Sequence, residues 1–109
     1  MNERDRHIIA SLKQRIIAAC PQELRKMIVF GSRSRGEAAP DSDLDVAVLV
    51  TRRTPDLERR LDDIAYALMW DLDFRPIISL KIIAEADFLA GVQKGFSFYC
   101  NVAREGLAA

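Results

Sequence analysis

Two short apolar runs, Met27–Phe30 and Val46–Val50, are separated by fifteen residues too polar to extend either: Gly-Ser-Arg-Ser-Arg-Gly-Glu-Ala-Ala-Pro-Asp-Ser-Asp-Leu-Asp, from Gly31 to Asp45. The flanking runs, the second starting at Leu44, are β-rich and almost wholly apolar, as strands buried on both faces are. From Gly31 to Asp41, two glycines, two serines and a proline mark a loop, within which Ser34–Glu37 suits the start of a short helix. A dozen residues is too long for a tight hairpin, and a loop of that length in a small domain usually carries function.

The rest of the chain arranges itself around that unit. From Asn2 to Ala19, Ile8, Ile9, Leu12, Ile16 and Ile17 recur at steps of three and four, which is the period of an amphipathic helix. Pro21 ends it, and Pro21–Lys26 forms a short connection with room for one helical turn. Thr54-Pro55 has the form of a helix N-cap and first position. Beyond it Leu57, Leu61, Ile64, Ala65 and Leu68 make an apolar stripe, with Glu58, Arg59, Arg60, Asp62 and Asp63 on the solvated side. Asp71–Arg75 alternates charged and apolar residues and leads into Pro76–Ile83, which reads as a third strand edged at Pro76 because proline cannot donate to a ladder. Ala84–Gly91 suits a short helix. A closing helix runs to about Glu105, with Gly106 as its cap. The order predicts an α+β domain, helices packed on a small mixed sheet, over residues 1–109 as one unit.

Charge and composition narrow the function. Sixteen Lys and Arg balance sixteen Asp and Glu, so there is no general basic field to draw nucleic acid. No apolar run approaches the roughly 20 residues of a membrane span, and the N-terminus is charged with both signs, so the expectation is a cytoplasmic protein. Cys20 and Cys100 lack metal or redox spacing and read as small hydrophobes. With His7 the only histidine, histidine-dependent triads and zinc sites are excluded.

The chemistry concentrates in the central loop. Asp43 and Asp45 are two apart, so on a strand both point to one face, their Cα atoms roughly 6.6 Å apart. Unrelieved, two such carboxylates repel and raise each other's pKa, and a divalent cation removes that penalty. Oxygen ligands without nearby Cys or His favour Mg²⁺, with Mn²⁺ the alternative. Gly31 lets backbone amides approach an anion closely, Ser32 can donate to a phosphate oxygen, and Arg33 and Arg35 add cationic forks suited to phosphate. A calcium loop is excluded, because Val46 stands where that loop needs Gly and Arg52 where it needs Glu.

Gly-Ser-Arg-Ser-Arg-Gly at 31–36 followed by Ser42-Asp-Leu-Asp45 resembles the signature of the minimal nucleotidyltransferases of the DNA polymerase beta superfamily. The resemblance implies a core that binds a nucleoside triphosphate, most often ATP, through the Gly-Ser loop and holds metal with Asp43 and Asp45. Such proteins transfer a nucleoside monophosphate to a hydroxyl and release pyrophosphate. It also implies a third carboxylate on a neighbouring strand, acting as metal ligand and general base. Asp73 is the candidate, read as the start of the third strand, with Asp71 the fallback, while another alignment puts Ile78 or Ser79 there. The tail from Phe96 to Gly106 resembles the closing helix of a bacterial subgroup of these proteins.

Short members of the family are often antitoxins paired with HEPN-type helical toxins, some adding AMP to a toxin tyrosine. The resemblance thus implies a helical protein partner as acceptor, with Arg52, Arg53 and the loop at Glu37–Asp41 on the exposed rim of the site. Two alternatives stay open: a catalytically inactive module that neutralises such a partner by contact, and a small-molecule nucleotidyltransferase, which commonly needs an additional helical domain for its acceptor. The composition is also compatible with an oligomer.

Overall fold

In the computed structural model, residues 1–36 and 42–109 are described. The elements in chain order are α1 (Glu3–Ala19), β1 (Leu24–Phe30), β2 (Leu44–Val50), α2 (Pro55–Asp71), β3 (Ile78–Ala84), α3 (Glu85–Gln93), α4 (Ser97–Glu105) and β4 (Leu107–Ala108). The two long helices start at side-chain caps: Asn2 Oδ1 accepts from the Asp5 amide at 2.7 Å and Thr54 Oγ1 from the Leu57 amide at 3.1 Å, satisfying donors that a helix start leaves unpaired. Pro55 occupies the first turn of α2, where its missing N–H costs nothing.

The sheet order is β3-β2-β1-β4. β1 runs antiparallel to β2 and β4, whereas β2 and β3 are parallel, joined by the α2 crossover. Strand alternation divides the side chains of β2 between two unequal layers. Leu44, Val46, Val48 and Val50 point into the larger core, against Ile8, Leu12 and Ile16 of α1 and Leu57, Leu61 and Leu68 of α2. Ala47 and Leu49 point the other way, into a smaller cluster with Ile28, Phe88 and Val102 beneath α3 and α4. The α+β expectation of a mixed sheet with packed helices holds, and the helices cover both faces.

Three boundaries differ from the sequence expectation. β1 begins at Leu24, earlier than the apolar run, because Leu24 and the exposed Lys26 still pair with Val50 and Leu49 of β2, with a register shift at Arg25 between them. β4 is two residues long and carries no pattern that could announce it; it forms because Gly106 lets the chain pass Ile28, where a Cβ would lie 2.3 Å from Ile28 Cγ2. The third strand starts at Ile78, not at Asp73. α2 continues through Asp71, and Asp73 and Phe74 then take left-handed φ values of 54° and 56° that turn the chain before the buried Pro76. Phe74 folds back on Trp70 at a ring-centroid distance of 5.2 Å, so this segment belongs to the helix end and not to the sheet.

Candidate active site

β1 ends and β2 begins side by side, with Phe30 paired to Asp45. The chain leaves β1 at Gly31 with φ +78°, a conformation that L side chains rarely adopt. A Cβ at this position would sit 2.7 Å from Asp45 Oδ2. Glycine is therefore required twice, for the turn and for the close approach of the loop backbone to the carboxylate. The next residues form successive turns: the Ser34 amide and hydroxyl both donate to the Gly31 carbonyl, at 3.1 and 2.8 Å, and the Gly36 amide donates to the Arg33 carbonyl at 3.3 Å. Ser32 is half-buried inside this turn.

Arg33 and Arg35 separate in role. Arg33 is buried; its Nη1 donates to Asp5 Oδ1 of α1 at 2.7 Å, and its Nε and Nη2 donate to the Ser42 carbonyl at 3.1 and 2.7 Å. One guanidinium thus ties both ends of the loop to the first turn of α1, using the planar fork that lysine lacks. Its charge is engaged by Asp5, where the sequence had suggested phosphate. Asp5 is the site-supporting residue that sequence reasoning passed over, since an acidic residue in a first helical turn reads as dipole chemistry and its partner is 28 positions away. Arg35 is exposed and pairs with Glu105 of α4 at 3.6 Å.

Asp43 and Asp45 bracket the buried Leu44, Asp43 exposed and Asp45 half-buried. Burial pushes the Asp45 carboxyl up from its ordinary value, the neighbouring Asp43 charge pushes it further, and Lys81 pulls it back. Desolvated and facing a like charge, this carboxylate suits a hard divalent cation. Across the parallel pair, Ser79 is the register partner of Asp45, and Lys81 that of Ala47. Ser79 and Lys81 therefore lie on the Asp45 face of the sheet.

The remaining candidates lie elsewhere. Asp73 is exposed in the turn after α2, beside the Tyr66, Trp70 and Phe74 rings, and Asp71 pairs with Arg15 of α1 at 2.8 Å. Among the described residues no three His, Cys, Asp or Glu side chains group as a metal site, so Asp73 is not brought together with Asp43 and Asp45. Arg53 ion-pairs with Glu58 and lines an open groove of about 440 Å³ with Asp62, Lys81, Phe98 and Tyr99. Arg52 lines a different groove with Thr51 and Thr54. The loop at Glu37–Asp41 lies outside the described residues. A smaller pocket of about 190 Å³ joins Gly31 and Arg35 to Phe30 and Phe98, whose rings meet edge to face at 5.6 Å. A larger groove of about 560 Å³, between α1 and α2, is lined by His7, Ser11 and Leu68 and none of the loop or carboxylate residues.

Comparison with known proteins identifies the family of the chain. The nucleotidyltransferase domain profile matches residues 10–98, which take in both strands, the loop and β3. A Methanocaldococcus jannaschii protein whose name reads "putative protein adenylyltransferase" is 35% identical over 80 residues, covering 70% of this chain and 80% of its own length. A glycine turn resting on a paired carboxylate is thus found where the profile also aligns, and the chain belongs to the nucleotidyltransferase domain family.

Proposed function

We propose that the protein transfers AMP from ATP to a hydroxyl of a partner protein in a Mg²⁺-dependent reaction, and that it acts as the antitoxin of a pair whose toxin is a HEPN-type helical protein. The observation that carries the transfer reading is the Gly31 backbone lying against Asp45, with the Asp43 charge next to it just ahead of β2. That arrangement sets an anion-binding turn next to a cation-binding carboxylate pair. The relative's name supports adenylyl transfer to protein. The helical partner rests on the family resemblance of the sequence.

In this reading the acceptor oxygen forms a bond to the α-phosphorus while the bond from that phosphorus to the bridging oxygen of the β-phosphate breaks. Pyrophosphate leaves with the bonding electrons, and the hydroxyl proton passes to solvent or a nearby base. Ser32 and the loop amides orient the β- and γ-phosphates, and Arg33 keeps the loop in place through Asp5 and Ser42. Asp43 and Asp45 would hold the Mg²⁺, which supplies neutralisation of the triphosphate and of the developing charge.

A second reading, an inactive module that neutralises its partner by contact, is favoured by one observation: the β3 partner of Asp45 is Ser79, and no third acidic side chain joins the pair among the described residues. Incubation with Mg²⁺, α-labelled ATP and the product of the adjacent reading frame separates the two. Label on a hydroxyl of a helical partner, reduced roughly 10²–10³-fold by Asp43→Asn or Asp45→Asn, is the expected result. Tight partner binding with no label would establish the module instead.

A further inference from the structure

Resting on the transfer reading above, we infer that Lys81 binds the α-phosphate of the nucleotide, supplying from β3 a positive charge at the carboxylate pair. Three observations lead there. First, the arginine best placed by sequence for phosphate is spent inside the fold: Arg33 is buried and bonded to Asp5 and Ser42. Secondly, the other loop arginine, Arg35, is ion-paired with Glu105 of α4 in the small pocket beside Gly31. The site therefore needs a cation from another element if it is to hold a triphosphate.

Thirdly, Lys81 has the right place and no competing commitment. The register sets it opposite Ala47, so it is the diagonal neighbour of Asp45 on the same face of the sheet. Cα atoms in such diagonal pairs are roughly 7–8 Å apart, within reach of a lysine side chain. Its charge is felt by the Asp45 carboxyl. The side chain is exposed, and it makes no hydrogen bond or ion pair among the described residues.

Position then assigns the phosphate. Asp45 lies between β1 and β3, with the Gly31 turn approaching from the β1 side and Lys81 from the β3 side. A triphosphate whose β- and γ-phosphates rest in the Gly31–Ser32 turn passes over the carboxylates and presents its α-phosphate toward β3. There a compact ammonium with three donors can meet an α-phosphate oxygen without a fixed planar geometry. Lys81 also lines the open groove with Phe98 and Tyr99.

Titration calorimetry of the intact protein with ATP and with AMP, both in Mg²⁺, tests this. Wild type, Lys81→Met and Lys81→Arg are compared. Lys81→Met should weaken both ligands by roughly tenfold or more, the scale of one charged hydrogen bond, and Lys81→Arg should restore most of the loss. Unchanged ATP affinity in Lys81→Met would overturn the inference. A loss for ATP with none for AMP would overturn the α-phosphate assignment by moving the contact to the β–γ end. A loss that Lys81→Arg leaves unrepaired would mean that charge is not what the residue contributes. Failure of the wild type to bind ATP would instead strike the transfer reading itself.

Discussion

The two faces of the sheet are covered to different depths. On one, the seventeen-residue helices α1 and α2 bury Leu44, Val46, Val48 and Val50 of β2 in a continuous apolar layer. On the other, the nine-residue helices α3 and α4 cover Ala47 and Leu49 but leave the strand ends bearing Asp45, Ser79 and Lys81 only partly shielded or open. The same strand thus serves stability with its even-numbered residues and with Ala47 and Leu49, and chemistry with Asp45 at its start. The thick face is the support that lets the thin face keep a half-desolvated acid, since a site needs rigid backing more than it needs its own apolar packing.

Arg33 links the two, and its removal should have the largest effect on stability. Arg33→Met leaves Asp5 buried and unpaired and should cost about 3–5 kcal/mol in denaturant unfolding, the usual penalty for breaking a buried pair from one side. A cost below about 1 kcal/mol would mean that the loop is not anchored through this pair.

Truncations on the two faces should then differ in size. Leu61→Ala, in the thick layer where Leu61 is 1% exposed, should cost about 2–5 kcal/mol. Phe98→Ala, 40% exposed and held by edge-to-face contacts with Phe30 and Tyr99, should cost no more than about 1.5 kcal/mol. Equal costs in urea melts would break the comparison.

The smallest effect is a gain. With Mg²⁺ removed by EDTA, Asp45→Asn should raise the Tm slightly near pH 7, because burial and Asp43 hold the native carboxyl above its unfolded pKa. A raised carboxyl binds more protons folded than unfolded, so wild-type stability falls as pH rises between the two values. The advantage of Asn is full above the folded pKa and disappears below the ordinary carboxylate range. A Tm difference that does not change with pH would show that the repulsion is absent.

Much of this was legible in the chain. The three- and four-step spacing of Ile8, Leu12 and Ile16, and of Leu57, Leu61 and Leu68, marked the long helices because a helix must present one apolar stripe to its sheet. Gly31-Ser32 and Asp43-x-Asp45 marked the loop because turn chemistry and strand alternation act over a few residues. Sequence by itself therefore determined the helices, the three longer strands apart from their exact ends, the mixed sheet and the side-by-side placing of turn and carboxylates. What only the tertiary structure decided are pairings between distant residues: Arg33 with Asp5, Asp45 with Ser79, Lys81 beside the acids, and Asp73 folded away with the end of α2. The physical reason is that strand register and buried ion pairs are settled by how whole layers pack. No local pattern near residue 73 or residue 81 records which of them will lie on the face that carries Asp45.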